Sequence, residues 1–467
     1  WLPLMTITQF ISADEIRSRF SHAMSEMYRE EVPLYGTLLD IVSEVNTDVL
    51  EKNVQLRENL AGANELLRLD VERHGAIRLG KPEELHVMRR VFHVMGMYPV
   101  GYYDLSVAGV PVHATAFRPI DETALKINPF RVFTSLLRLE LIEDEVLRRT
   151  ATEILAQRQI FSDELMQLLE LHETGKGFSD EEAWRFVAEV KEIFRWHQEA
   201  TVSKEMYQQL HDAHRLIADV VCFKGPHINH LTPRTLDIDA VQAQMRQRGL
   251  DPKAVIEGPP KRQHPILLRQ TSFKALQEKI LFADDSQSGT HTARFGEIEQ
   301  RGVALTPKGR ALYDRLLEQA RSHNNEGSAG SAYSERLVEA FQSFPDDLES
   351  LRKEQLAFFR YEITDENQFR KQAETGDKKD LDALLEAGAI VAEPIVYEDF
   401  LPVSAAGIFQ SNLGGTEQRH YVAHASRAQF EKDLGGSVLD EMKLYEQASK
   451  QSIERLFQAL EAESINA

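Results

Sequence analysis

Cysteine is almost missing from this sequence: its 467 residues include Cys222 and no other. A single cysteine excludes an intramolecular disulfide and favours a reducing compartment, so we expect a cytoplasmic protein. The residues around this thiol are Val220, Val221 and Phe223. This apolar setting predicts a buried, inert side chain rather than a nucleophile.

Long apolar runs are also lacking. No stretch approaches about 18 uncharged apolar residues, which predicts that no helix crosses a membrane. The first residues have neither the basic segment nor the long apolar core of a signal peptide, so we expect none. The motifs of several enzyme classes are missing as well: we find no Walker A loop, no G-x-G-x-x-G, no H-E-x-x-H and no G-x-S-x-G.

Basic residues are scarce relative to acidic ones. The sequence has 54 lysines and arginines against 74 aspartates and glutamates, a formal net charge of −20. This balance argues against a nucleic-acid partner, because phosphate binding needs a basic face, and equally against an anionic membrane. A small anionic substrate stays possible, since it needs only one or two well-placed arginines.

Helical and β-rich patterns alternate along the chain. Residues 1–70, 143–215 and 306–467 have mainly helical patterns, whereas 71–142 and 216–305 are rich in strand-forming ones. Capping patterns at Ser12 and Ser179, and Pro307 at a first helical position, predict three helix starts. Ser437 predicts the N-cap of a final helix, and the Gly/Ser/Asn-rich segment 322–334 predicts a flexible loop.

The two β-rich regions contain an internal repeat. Each begins with H-x-x-x-R, continues into a helical pattern that stops at G-x-x-P, and enters a strand that ends in Thr-x-Phe and a basic residue. The histidine and phenylalanine are 43 residues apart in both copies, and a strand arginine follows 21 residues later. These matches favour duplication and predict that each copy folds as strand–helix–strand–strand–strand. The landmarks are His74, Gly96, Phe117 and Arg138 in the first copy and His230, Gly249, Phe273 and Arg294 in the second.

Pairing of the two copies predicts a metal site. His74 and His230 would lie on equivalent strands, and Glu297 would add a carboxylate where the first copy has Leu141. Two imidazoles and one carboxylate on one face of Fe(II) leave adjacent positions open for a bidentate substrate and O2. Glu299 points to the same side of a regular strand as Glu297, so it is a rival for the carboxylate position.

Other histidines are weaker candidates for a metal site. His227 comes three residues before His230, and this spacing predicts opposite faces of a strand. His211 and His214 lie in a polar helical pattern, where we expect them to be solvated.

Four longer motifs give the chain a resemblance to a known family. They are ERHGAIR (72–78), GPHINHLTPRTLDID (225–239), RFGEIEQRGVALTPKGR (294–310) and YEDFLPVSAAGIFQSNLG (397–414). Over essentially the whole chain, the sequence resembles the bacterial 2-oxoadipate dioxygenase/decarboxylase family, also called hydroxyglutarate synthase. That family is similar in fold to the vicinal oxygen chelate superfamily. The resemblance implies an α+β fold in which paired βαβββ modules form a curved sheet around a metal site, with large helical additions.

The resemblance also implies a reaction and its metal ligands. It implies conversion of 2-oxoadipate and O2 to 2-hydroxyglutarate and CO2 with Fe(II), in lysine catabolism. The family's iron ligands fall on His74, His230 and Glu297, and we expect both histidines to touch the substrate as well. RFGEIEQRG also resembles the metal-carboxylate strand of 4-hydroxyphenylpyruvate dioxygenase, which favours Glu297 over Glu299.

Further substrate contacts are implied at three positions. The family's substrate-binding arginine falls on Arg78, where it would clamp the distal carboxylate through charge-assisted hydrogen bonds. Its backbone contact to substrate falls on Val403, with Ser404 beside it, in a segment (397–414) that would close the site. The expected partners are a small 2-oxo dicarboxylate and O2, with no nucleic acid and no membrane; the sequence gives no oligomeric state.

Two other functions stay open at this point. One is a different vicinal-oxygen-chelate metalloenzyme, an isomerase or an extradiol dioxygenase that uses another divalent metal. The other is a non-catalytic metabolite-binding protein that keeps the metal site for structure.

Overall fold

A computed structural model describes residues 9–175, 177–273, 277–284, 288–322, 330–375, 380–401 and 423–464. These residues form two compact units. The first gathers the described residues of Trp1–Glu257, Gln270–Glu299 and Phe400–Leu439, and the second those of Gly258–Arg269, Gln300–Asp399 and Asp440–Ala467. Helices and short sheets occur in both, which confirms the predicted α+β class.

Among the described residues, which begin at residue 9, four helices precede the first strand. The first begins after Ser12, whose hydroxyl accepts a hydrogen bond from the backbone N–H of Glu15, as the capping pattern predicts. The second begins at Pro33, where the missing N–H of proline costs nothing. The helices are α1 (Ala13–Glu31), α2 (Pro33–Lys52), α3 (Val54–Gly62) and α4 (Glu65–Val71).

The first copy of the repeat folds as a βαβββ module with one short helix added. Its elements are β1 (Arg73–Leu79), α5 (Pro82–Val94), β2 (Tyr98–Asp104), β3 (Val112–Arg118), α6 (Glu122–Ile127) and β4 (Arg131–Leu137). The strands form one sheet in the order β2-β3-β4-β1, and β1 runs parallel to β4 while the other pairs are antiparallel. His74 therefore lies on β1, next to β4 at one end of this four-strand order.

Between the two copies, the described part of the chain forms five helices. Ser179 caps the third of them through a hydrogen bond from the backbone N–H of Glu182, which confirms that predicted start. The helices are α7 (Glu145–Ala156), α8 (Asp163–Gly175), α9 (Asp180–Phe194), α10 (Lys204–Ala213) and α11 (Arg215–Val221).

The second copy departs from the first in how its strands pair. Its first strand joins the sheet of the first copy, where it pairs antiparallel with β1. The later strands form two separate pairs, β6 with β9 and β7 with β8. The elements are β5 (Leu231–Pro233), α12 (Ile238–Gln247), β6 (Leu268–Phe273), β7 (Glu278–Leu281), β8 (Ser288–His291) and β9 (Gly296–Arg301).

Three of the four landmarks of the repeat fall at matching places. Gly96 and Gly249 follow α5 and α12 with φ of 65° and 76°, a left-handed conformation that ends a helix and suits glycine. Phe117 and Phe273 lie at the ends of β3 and β6. His74 lies on β1, whereas His230 directly precedes β5.

The fourth landmark does not match. Arg138 follows β4, whereas Arg294 precedes β9, so their shared spacing does not mark equivalent positions. The cause is the hairpin β7–β8, which lies between β6 and β9 where the first copy has α6. Leu141, the predicted counterpart of Glu297, instead lies in a short 3-10 turn with 37% of its surface exposed. The prediction of an equivalent position in the first copy is therefore wrong.

The remaining elements follow β9, and two predictions there need correction. The predicted loop 322–334 gives way to a helix at Gly330, and the final helix begins at Glu441 rather than beside Ser437. Pro307 does open its helix, as predicted. The elements are α13 (Pro307–Ser322), α14 (Gly330–Ala340), α15 (Leu348–Lys353), β10 (Phe359–Ile363), α16 (Glu366–Thr375), α17 (Leu381–Glu386), β11 (Ile390–Pro394), α18 (Ala423–Leu434) and α19 (Glu441–Ser464).

Aromatic side chains from helices and strands form the core of the first unit. Phe92 of α5 stacks on Phe117 of β3 with ring centroids 4.5 Å apart. Phe20 of α1 contacts Phe130 and Phe194 edge-on at 5.6 and 5.2 Å. This apolar layer holds the helices against one side of the sheet. Across the described residues, no helix combines the length and apolar character needed to cross a lipid bilayer.

The pairing of β1 with β5 requires a glycine. A Cβ added at Gly75 would come within 2.5 Å of Ile228 Cδ1 and 3.1 Å of the His230 carbonyl oxygen. We expect Gly75→Ala to lower the free energy of unfolding by about 1–3 kcal/mol, because the added methyl overpacks this contact. Urea unfolding followed by tryptophan fluorescence would measure the change.

Gly62→Ala is the matched control for this prediction. Nothing lies within 4 Å of a Cβ added at this helical glycine, so we expect unchanged or slightly raised stability. Equal destabilisation by both substitutions would contradict the importance of close packing at Gly75.

Candidate metal centre

Three predicted side chains meet in the interior of the first unit. His74, His230 and Glu297 each place one ligand atom so that all three atoms lie within 4.8 Å of one another. Each side chain is almost completely buried. In the part of the chain that the structure describes, no other group of three histidine, cysteine or carboxylate side chains is so arranged. A buried set of this composition fits a divalent transition metal.

The strand pairing explains why these residues meet. His74 of β1 lies opposite Thr232 of β5, and the backbone N–H of Asn229 donates to the Ala76 carbonyl, so His230 is held beside His74. Just after β5, the backbone N–H of Thr235 donates to the Glu299 carbonyl of β9. The segment 229–235 thus contacts both β1 and β9, which carry the other two residues.

Glu297 and Glu299 take different positions around His74. Glu297 Oε1 lies 3.1 Å from His74 Nε2, whereas Glu299 Oε2 lies 2.8 Å from Nδ1 on the opposite edge of the ring. The structure therefore places Glu297 in the three-residue cluster and Glu299 behind the histidine. A carboxylate in this rear position fixes the ring orientation and raises the basicity of a metal-binding imidazole.

Neutral donors also converge on the Glu297 carboxylate. The Thr232 hydroxyl donates to Glu297 Oε1 at 3.1 Å, and the Gln270 side-chain amide donates to the same oxygen at 3.0 Å. The Thr232 oxygen also lies 2.8 Å from His230 Nδ1. These contacts hold the carboxylate and the second histidine in one orientation.

A buried ionic cluster lies behind Glu299. Glu72 binds Arg68, Arg131 and Arg234 at distances of 3.2, 2.9 and 3.0 Å. Arg131 is also 4.0 Å from Glu299 Oε1. Burial alone would raise the pKa of Glu72, but the three guanidinium groups hold it well below its ordinary value. The carboxylates near His74 thus have fixed positive charge close by.

The acidities of the three central side chains differ. Burial lowers the pKa of His230 to about 4, so this imidazole is neutral at physiological pH and able to bind a metal. Burial alone would also lower the pKa of His74, but Glu299 and Glu297 outweigh it and raise the pKa above its ordinary value. For Glu297, burial is opposed by His230 and His74, which leaves its pKa below the ordinary value. The two carboxylates therefore favour the protonated form of His74, and a proton competes with a metal for this imidazole.

Aromatic rings border the cluster. Phe400 contacts the His74 ring edge-on with centroids 5.0 Å apart, and it also contacts Phe133 at 5.6 Å. Phe295 lies 4.9 Å from the His230 ring. Phe400 belongs to the predicted closing segment; Val403 and Ser404 of that segment lie outside the described residues.

Arg78 lies on the same strand face as His74, four residues further along β1. Its Nη1 donates to Asp219 Oδ2 at 2.9 Å, and 17% of its side chain stays exposed. The sequence reasoning missed Asp219, which also accepts hydrogen bonds from His227 and His291. His227 is only eight residues from Asp219, but Arg78 and His291 are 141 and 72 residues away, so no single sequence segment signals the group.

The remaining candidates from the sequence fall into other roles. His227 and His230 do not lie on opposite faces of a strand, because residues 225–230 form no regular strand. His214 is half-buried rather than solvated, since its Nδ1 accepts the Leu216 backbone N–H at the start of α11. Cys222 is fully buried, and burial raises the pKa of its thiol, which confirms the inert side chain.

Comparison with known proteins connects this site to a family. The family described as 2-oxoadipate dioxygenase/decarboxylase matches residues 20–412. The chain belongs to this family. This match confirms the resemblance that the four motifs indicated. It also confirms the expectation that the chain is an enzyme.

Individual members of the 2-oxoadipate dioxygenase/decarboxylase family are closely similar to the chain. The protein of that name from Escherichia coli strain K12 is 60% identical over 95% of this chain and 98% of its own length. The protein of the same name from Pseudomonas putida is 56% identical over 98% of this chain and 99% of its own length. The crystal structure of Pseudomonas putida hydroxyglutarate synthase in complex with 2-oxoadipate has a TM-score of 0.90 and 56% identity over 97% of this chain and 99% of that one.

We expect the contact between Glu299 and His74 to matter for metal affinity. Glu299→Gln removes the charge next to Nδ1, and it should weaken Co(II) binding about 10–100-fold, as loss of such outer carboxylates does elsewhere. Competition against a chelating dye would measure the dissociation constant. Glu153→Gln on the exposed side of α7 is the control, and equal affinity of the two variants would refute the role of Glu299.

Proposed function

We propose that this chain is an Fe(II)-dependent dioxygenase that converts 2-oxoadipate and O2 to 2-hydroxyglutarate and CO2. The observation that supports it most is the buried cluster of His74, His230 and Glu297 in a chain of this family. A related protein was crystallised with 2-oxoadipate, which supports the choice of substrate. The single buried cysteine is consistent with a reducing, cytoplasmic setting.

The three clustered residues would hold the metal through two nitrogens and one oxygen. Fe(II) bound there would offer open positions to the 2-oxo acid and to O2. It would also supply the redox chemistry that joins the two. The protein contributes by fixing the donor atoms: Glu299 orients His74, and Thr232 and Gln270 orient Glu297. Phe400 and Phe295 shield the histidine rings from water, so the reaction would proceed in an apolar setting.

Substrate orientation would come from Arg78. A flexible dicarboxylate needs its far end held if one carbon is to be attacked selectively. Arg78 has the matching charge and lies on the strand face of His74, and its exposed fraction allows a ligand to reach it. Val403 and Ser404 would add contacts from the closing segment, as the family resemblance implies.

Oxygen uptake by anaerobically Fe(II)-loaded protein tests the proposal. We expect uptake with 2-oxoadipate, with 2-hydroxyglutarate identified by mass as its product, and little with 2-oxoglutarate or 4-hydroxyphenylpyruvate. Activity restored by Zn(II) or Ni(II) would favour an isomerase instead. Metal-dependent stability with no uptake from any 2-oxo acid would favour a binding protein.

Substitutions in the cluster should distinguish the role of Glu297 from that of Glu299. We expect His74→Ala, His230→Ala and Glu297→Ala each to lower kcat/KM at least about 1,000-fold, because loss of a ligand removes the metal or its geometry. Glu299→Gln should keep measurable turnover when excess Fe(II) is supplied, since it acts on the metal through His74. Metal content by mass spectrometry would accompany the kinetics, and full activity of Glu297→Ala would overturn the ligand assignment.

Arg78→Ala tests the carboxylate clamp. We expect the KM for 2-oxoadipate to rise about 10–100-fold, because a charge-assisted contact to the substrate is lost. Metal content should be unchanged, since Arg78 is not one of the three clustered residues. An unchanged KM would show that Arg78 does not bind the substrate.

A further inference from the structure

A buried hydrogen-bond network centred on Asp219 has no place in the mechanism described so far. Asp219 lies on the short helix α11, and 5% of its surface is exposed. Its Oδ1 accepts hydrogen bonds from His227 Nε2 at 2.9 Å and from His291 Nε2 at 2.8 Å. Its Oδ2 accepts from Arg78 at 2.9 Å, with the Asn229 amide 3.5 Å away. The donors come from separate segments of the chain.

The network has a defined direction of donation. Because both histidines donate from Nε2 to the same carboxylate oxygen, each one holds a proton on that nitrogen. The Tyr207 hydroxyl lies 2.6 Å from His291 Nδ1, so this ring is held from both of its nitrogens. Burial lowers the pKa of His227, which favours its neutral form. Two imidazole donors thus hold one oxygen of Asp219.

The remaining charge on Asp219 is balanced by Arg78. Burial alone would raise the pKa of Asp219, but its histidine partners and Arg78 hold it well below the ordinary value, so it stays ionised. Asp219 binds one terminal nitrogen of the guanidinium, Nη1. The described residues offer no hydrogen bond to Nη2 or Nε, so part of the fork remains available to a ligand carboxylate.

We infer that Asp219, held by His227 and His291, is the positioning residue that fixes the guanidinium of Arg78 toward the distal carboxylate of the substrate. The inference rests on the proposed function, because it assumes that Arg78 receives that carboxylate. A fixed guanidinium sets the distance between the far end of the substrate and the metal cluster. Asp219 therefore contributes to selection of a dicarboxylate of one length.

Asp219→Asn tests this role with two ligands that differ at one end. 2-Oxohexanoate has the chain length of 2-oxoadipate and lacks its distal carboxylate. In the Fe(II)-loaded protein without oxygen, calorimetry should show 2-oxoadipate bound about 10–100-fold more weakly by the variant, because Arg78 has lost its charged partner. Binding of 2-oxohexanoate should change less than about twofold. Under oxygen, KM for 2-oxoadipate should rise more than kcat falls.

Control variants separate positioning from stability. Asp212→Asn on α10 replaces an exposed aspartate and should leave both ligands unaffected. His291→Leu removes one donor to Asp219 and should repeat the selective loss of 2-oxoadipate, whereas His291→Gln keeps a side-chain N–H and should largely restore binding. This pair keeps the test decisive if Asp219→Asn does not fold.

The outcomes distinguish the inference from the proposed function. If Asp219→Asn weakens the binding of both ligands equally, or of neither, the positioning role is overturned. The proposed function still stands in that case if the wild-type protein takes up oxygen with 2-oxoadipate. Wild-type binding that does not distinguish 2-oxoadipate from 2-oxohexanoate overturns the role as well. Absence of both binding and uptake in the wild-type protein refutes the two together.

Discussion

Buried negative charge is the constraint on which the arrangement of the first unit depends. Glu72, Glu297 and Glu299 lie almost fully inside, where an uncompensated carboxylate costs several kcal/mol. Each is compensated by groups from other segments: three arginines surround Glu72, and His74 lies between Glu297 and Glu299. The segments that carry these groups must stay together, because separating them would leave charges buried without partners. The same charge balance keeps together the three side chains that could hold a metal.

The sequence allowed prediction of those features that depend on local chemistry. Caps mark two helix starts, at Ser12 and Ser179, and glycines mark two helix ends, at Gly96 and Gly249. At each of these positions the local backbone geometry favours the residue type that is found there. His74 was found through the same repeat, because a landmark at the start of each copy is kept in register. The loop predicted over residues 322–334 rested on composition alone, and a helix begins within it at Gly330.

Other features could not be predicted because they depend on tertiary contacts. Glu297 and Glu299 share a strand face, and only the position of the His74 ring between them gives them different roles. Arg138 and Arg294 share a spacing by chance, since the hairpin between β6 and β9 is longer than the helix α6 that it replaces, so that Arg294 precedes β9 whereas Arg138 follows β4. Asp219 lies on a seven-residue helix, and its partners Arg78 and His291 are 141 and 72 residues away, so no local pattern marks the whole group.

The shared sheet has a consequence for how the two copies of the repeat depend on each other. β5 of the second copy pairs with β1, so the first copy by itself would leave β1 as an open edge of its sheet. Such an edge is a template for pairing with other chains and for aggregation. The second copy therefore supplies, within the same chain, the short strand that covers this edge, and the sheet of the first copy depends on it.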